Sequence, residues 1–144
     1  MHLLDSINDV GFLSAVTIMC EIGDFSIFKS PKQLFDYFGM DPKVNESGKF
    51  KGTECPMSKR GSRIARLVAL ANIHTKRNGE ALNPHLHAYY QKKVVSKPKK
   101  VALGAVMHKV CNIIFAVLRD GKSFKFRSPE EHRQNYKPQL TLIA

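Results

Sequence analysis

Two serines of this chain stand among cations. Ser47 lies in Glu46-Ser47-Gly48-Lys49, and Ser58 lies in Ser58-Lys59-Arg60-Gly61. A serine hydroxyl is a weak nucleophile that needs a base or a strongly polarised target. Phosphoryl transfer asks mostly for positioning and charge neutralisation, which lysine and arginine supply. Lys49, Lys51, Lys59, Arg60, Arg63 and Arg66 flank the two serines along the chain. Gly48 would let a backbone approach a phosphate closely. Each serine also has an ordinary reading. Ser47 suits an exposed turn. Ser58 suits a hydroxyl that caps the helix after it, where it would grip an anion with Lys59 and Arg60 without attacking it. The residue types alone leave these alternatives open.

The charge around these serines belongs to a wider asymmetry. The chain has 144 residues, with 23 Lys and Arg against 12 Asp and Glu, for a formal net charge of +11. Residues 1–48 carry three lysines against seven acids, and residues 49–144 carry twenty bases against five. A basic surface of that size points to an anionic partner, most often nucleic acid, with an anionic membrane or an acidic protein as the other classes. At 43% hydrophobic and 24% charged, the chain reads as globular, and its length suits one domain. Cys20, Cys55 and Cys111 are few, far apart and without a Cys-x-x-Cys pair, which argues for reduced thiols rather than a disulfide framework or structural zinc. His74, His85 and His87 lack a third ligand at suitable spacing and read as surface histidines. No apolar run is expected to reach membrane-spanning length, and Met1–Asp5 is not a basic leader, so the expectation is a cytoplasmic protein with no membrane partner.

Elements that would position the serines can be read from spacing. Two short helical patterns flank Asn8-Asp9-Val10-Gly11; the second runs over Phe12–Ile22, with Leu13, Val16, Thr17 and Cys20 at helical spacing and Gly23 as a stop. Ser30 suits an N-cap, Pro31 a first helical position and Gly39 the left-handed residue after the end, with Leu34, Phe35 and Phe38 as the buried face. Residues 40–59 have no helical period and read as a long basic loop with short extended pieces, a kind of segment that is often functional. A helix is predicted over Gly61–Lys76, placing Lys59, Arg63 and Arg66 on one face. Another is predicted over Pro84–Lys93, where Tyr89 and Tyr90 could pack or stack on bases. A basic linker carries Lys92, Lys93, Lys97, Lys99 and Lys100 around Pro98. The last helix, Lys99–Arg119, is apolar almost all round and reads as the central core helix. The fold class is therefore mostly α: a helix-hairpin-helix-like start, a small helical domain with a long basic loop, and a central apolar C-terminal helix. Residues 1–126 form the domain, and 127–144 a polar basic tail.

In order, these motifs resemble one family. Ser6-Ile7-Asn8-Asp9-Val10-Gly11, Cys20-Glu21-Ile22-Gly23-Asp24 and Phe28 are similar to the start of the carboxy-terminal transposase domain of the IS-one-ten insertion-sequence family. Lys32-Gln33-Leu34, Tyr37-Phe38-Gly39-Met40 and Pro42 continue it, followed by Glu46-Ser47-Gly48-Lys49, Gly52, Met57-Ser58-Lys59-Arg60-Gly61 and Arg66. Asn83-Pro84, Tyr90, Lys99, Ala102, Gly104-Ala105, Lys109 and Val117-Leu118 fall in the same order, so the resemblance spans roughly residues 3–126.

That resemblance implies a recombinase domain that works on DNA under a structured guide RNA. Ser47 matches the serine that attacks a phosphodiester and becomes attached to it, with Ser58 as the alternative. Lys49, Lys51, Ser58, Lys59, Arg60, Arg63, Arg66, Lys99 and Lys100 would hold nucleic acid. The family's amino-terminal RuvC-like domain carries acidic metal ligands that have no counterpart in this sequence. The expectation is no cofactor on this chain, a divalent metal only with that other domain, and partners comprising DNA, a guide RNA, a RuvC-like domain or full-length transposase, and further copies of the chain when active. Asp9 stands where the family has glycine and Asn8 where it has proline, which favours a structural turn over a phosphate nest there. A non-catalytic nucleic-acid-binding remnant is the alternative function.

Overall fold

Apolar positions from both ends of the chain converge on one long helix. The computed structural model describes residues 3–8, 10–41, 46–47, 50–51, 57–61, 63, 66, 73–127 and 130–131. Four α-helices stand among them: α1 (Phe12–Ile22), α2 (Pro31–Tyr37), α3 (Pro84–Val94) and α4 (Lys99–Asp120). A 3-10 turn, Leu3–Ser6, precedes α1, and another, Phe25–Ile27, follows it. Two short strands, β1 (Glu46–Ser47) and β2 (Phe50–Lys51), pair antiparallel within the long loop. The fold is mostly α, as its spacing predicts.

Local chemistry sets the helix ends. Ser30 Oγ accepts from the Gln33 amide, Pro31 occupies the first turn, and Gln33 Oε1 accepts from the Lys29 amide at 2.7 Å. This is a reciprocal cap that satisfies otherwise orphaned donors. After α2 the chain turns at Gly39, whose φ of +64° is the left-handed conformation that glycine adopts at no steric cost. Asn83, itself buried, caps α3 by accepting from the Leu86 amide at 3.1 Å.

α4 is the core. Ala102, Val106, Met107, Val110, Cys111, Ile114, Phe115 and Val117 are buried along it. It packs on α3, on α2 and on the first 3-10 turn. Phe35 of α2 meets His108 edge-on at 5.0 Å, and Phe25 meets Phe115 at 5.2 Å. By length and composition α4 is long and apolar enough to cross a membrane, which corrects the expectation that no run reaches that length; here it is the helix around which the others pack.

α1 spans Phe12–Ile22, as its spacing predicts; its buried residues are Ala15, Ile18 and Ile22, whereas Leu13 is 78% exposed and Cys20 is exposed. The helix carries apolar residues on both sides, so spacing alone did not select the face that meets the core. The helix predicted to reach Lys76 stops earlier. Arg63 and Arg66 are helical, but Ile73 is in a turn and Thr75 bridges Ala81. The intervening Asn78-Gly79 drives the reversal: Gly79 has a φ of +82°, and Asn78 Oδ1 accepts from the Glu80 amide at 3.1 Å. Residues 62, 64–65 and 67–72 of that predicted helix lie outside the described residues, as do Asp9 and most of the 127–144 tail.

Cys111 reports on the core directly. Burial, and secondarily the Asp36 carboxylate, push its thiol from an ordinary 9.0 up to about 12. The unfolded chain therefore ionises this thiol at lower pH than the folded one. The stability it lends is complete below pH 9.0 and is lost as pH rises towards 12. Under native conditions at pH 8, iodoacetamide is expected to modify Cys20 and spare Cys111, with both modified after denaturation; peptide mapping by mass spectrometry reads the difference.

Candidate nucleic-acid interface

The segment carrying Ser58 is fastened to the end of α2 by backbone. The Ser58 amide donates to Asp41 O and the Lys59 amide to Gly39 O, both at 2.8 Å. The two chains meet so closely that a Cβ at Gly39 would lie 2.3 Å from the Gly61 amide nitrogen. One at Gly61 would lie 2.2 Å from Tyr37 O. Neither position admits a side chain, so two glycines define the crossing.

Side chains lock the same crossing. Ser58 Oγ donates to Asp41 Oδ1 at 2.5 Å, and Ser58 is only 9% exposed. Its hydroxyl therefore serves this buried bond rather than a helix cap. A carboxylate on the hydroxyl also opposes a phosphate at the same atom. Arg66 donates through one guanidinium nitrogen to Phe38 O at 3.3 Å and Gly61 O at 3.1 Å. It thus ties the following helical residues back to the α2 terminus, whose carbonyls lack intrahelical partners.

The lock leaves three cations outside. Lys59, Arg60 and Arg63 are exposed, and among the described residues none of them makes an ion pair. Lys59 holds a φ of +56°, a conformation uncommon for a residue with a side chain and one that warrants a functional question. This also changes the predicted shared face. Lys59 precedes the helical residues, Arg63 points outward and Arg66 points inward to carbonyls, so the three are not one helical stripe.

Other candidates fall elsewhere. Ser47 pairs with Phe50, and Glu46 with Lys51, so Ser47 closes β1 next to the reversal. Gly48 and Lys49, which follow Ser47 in sequence, lie outside the described residues. Lys99 and Lys100 are exposed on the first turn of α4, a separate element. There the helix dipole disfavours cations, and a bound anion would relieve the conflict. Among the described residues, no three His, Cys, Asp or Glu side chains gather to hold a metal ion, so no step is assigned to one here.

Sequence reasoning missed Asp41 as the partner of Ser58. Seventeen residues separate them, and no spacing rule links positions that meet only through the glycine crossing. It also passed over the alternation of cations and aromatics in Lys122-Ser123-Phe124-Lys125-Phe126-Arg127. That pattern of phosphate-binding and base-stacking residue types was available as a signal.

A family model described as Transposase IS116/IS110/IS902 family matches residues 1–91. The match takes in α1, α2, both strands and the glycine crossing, and ends within α3 before α4 begins. No curated protein matches the chain.

The crossing sets a sharp contrast between glycines. Gly61→Ala is expected to destabilise the fold by on the order of 3 kcal/mol, because backbone atoms rather than flexible side-chain ends occupy the space. Gly104→Ala, in the second turn of α4 with nothing within 4 Å of the new carbon, is expected to gain about 0.5–1 kcal/mol. Urea unfolding of the two variants measures both.

Proposed function

This chain belongs to the transposase IS116/IS110/IS902 family, and we propose that it is a DNA-handling, serine-bearing part of such a transposase. Its general business is transposition, which implies interaction with DNA. The finer reading is that Ser47 is the nucleophile and that Lys59, Arg60 and Arg63 neutralise the phosphate backbone it works on. Three exposed cations with no ion pair among the described residues, held on a locked segment, carry this reading. Side chains preorganised in this way can stabilise charge on a phosphoryl group without first leaving acidic partners.

In this scheme the Ser47 oxygen forms a bond to phosphorus as the bond from phosphorus to a deoxyribose oxygen breaks. The serine proton is given up, and the departing oxygen takes one. One ester replaces another, so the exchange needs no oxidant and no nucleotide hydrolysis. Ser58 is a positioning residue: its buried hydroxyl holds Asp41, and through that bond it holds Lys59 and Arg60 in place. A guide RNA, a RuvC-like domain supplying metal-binding acids, and further copies of the chain complete the proposed assembly.

The experiment combines the chain with a RuvC-like partner and substrate DNA and scores covalent protein–DNA adducts on denaturing gels. Ser47→Ala is expected to abolish the adduct, and Ser58→Ala to reduce but retain it. An adduct that persists in Ser47→Ala overturns the assignment. If the unaltered chain forms no adduct in any pairing and still binds DNA in a salt-dependent way, the non-catalytic reading replaces it. Replacing Lys59, Arg60 and Arg63 by alanine is expected to lower the slope of log K against log salt for duplex DNA by about 0.9 for each phosphate that is no longer neutralised.

A further inference from the structure

The stretch that follows α4 is seated on the body rather than trailing from it. The Phe124 amide donates to Ser6 Oγ at 2.7 Å, which joins this stretch to the first 3-10 turn. Phe124 meets Phe126 edge-on, with ring centroids 5.1 Å apart, and Phe126 lies against His85 at 5.8 Å with the rings tilted by 35°. Phe126 remains 41% exposed. His85 and Phe126 line two open cavities, of about 430 and 460 Å³.

The larger cavity has an unusual pairing of walls. Leu86, Ile113 and Val117 give it apolar surface, while Lys109, Lys122, Lys125 and Arg127 supply cations. The one acid on its lining, Asp120, is engaged by Arg119 at 2.7 and 3.2 Å. The acid of the smaller cavity, Glu80, is paired with Lys76 at 3.1 Å. Lys109 also sits over the Tyr89 ring, 5.4 Å from its centroid, which helps to fix its ammonium group at the cavity wall. The larger cavity therefore presents net positive charge beside the exposed His85 and Phe126 rings, whereas Lys76 and Glu80 offset each other in the smaller one.

A small inorganic anion has no use for exposed aromatic faces, and a neutral apolar ligand has no use for four cations. A partner that offers flat aromatic faces and regularly spaced negative charge satisfies both, and unpaired bases on a phosphate backbone have that chemistry. A closed duplex buries those base faces. We propose that His85, Phe124 and Phe126 form a stacking platform for unpaired bases of single-stranded nucleic acid, with Lys109, Lys122, Lys125 and Arg127 holding its phosphates. Phe124 and Phe126 lie beyond the residues matched by the transposase family, and the platform does not depend on Ser47 being a nucleophile.

The chain contains no tryptophan, so Phe126→Trp places a single indole on the platform. The full-length variant is titrated with an oligothymidylate of about eight nucleotides, with an abasic strand of equal length, with duplex DNA and with phosphatidylserine vesicles. Saturable quenching of the indole by oligothymidylate, with much less by the abasic strand and the duplex, is expected. Phe126→Ala, checked for unchanged helicity, is expected to weaken oligothymidylate binding by roughly five- to a hundredfold, the range for loss of one stacked base. Adding Ser47→Ala to the tryptophan variant is expected to leave the quenching unchanged, which separates this site from the proposed chemistry. An unquenched indole, equal quenching by the abasic strand, a response to vesicles alone, or wild-type affinity in Phe126→Ala overturns the proposal.

Discussion

At Gly39 and Gly61 two stretches of backbone pass so closely that only a hydrogen fits on either α-carbon. This approach makes the remaining interactions at the end of α2 possible. With the chains at that distance, the amides of Ser58 and Lys59 reach Asp41 O and Gly39 O, the Ser58 hydroxyl reaches the Asp41 carboxylate, and Arg66 reaches two carbonyls. Each bond satisfies a polar group that burial would otherwise penalise, so the crossing and its hydrogen bonds depend on one another. The cations of the segment are thereby displayed outward. Their position follows from a packing constraint rather than from ion pairs with neighbouring acids.

The fold behind the crossing follows a different rule. α4 is buried on enough of its surface to contact α2, α3 and the first 3-10 turn, and it unites elements distant in sequence. The family match ends at residue 91, but the helix that closes the core begins at Lys99. The matched region thus obtains its hydrophobic partner from residues beyond the match. Cys111, with its thiol pushed up to about 12 by burial and by Asp36, lies in that shared core.

Much of this was legible in the sequence wherever a local rule applied. Ser30-Pro31 opening α2 with Gly39 after its end, Asn83-Pro84 opening α3, and the near-continuous apolar surface of α4 all announce themselves by residue type and spacing. Other features escaped for identifiable reasons. Asn78-Gly79 outweighed the helical pattern before it, because the bridge between Thr75 and Ala81 fits a tight reversal. The exposed face of α1 follows from what the core offers, which spacing within a single helix does not record. The bond between Ser58 and Asp41 is non-local and depends on a close approach that only a folded chain has. For the candidate site, the residue types were readable and the division of labour was not: Lys59, Arg60 and Arg63 face solvent, whereas Ser58 and Arg66 are spent on the fold.

The central claim is that backbone pairing at the glycine crossing holds the basic segment in place, and amide hydrogen exchange followed by NMR tests it most directly. The expected result is slow exchange at the Ser58 and Lys59 amides, with protection approaching that of buried α4 amides such as Val110, and joint loss of that protection in Asp41→Ala or Gly61→Ala. Exchange of the Ser58 and Lys59 amides at unprotected rates in the unaltered chain, while α4 remains protected, would contradict the account.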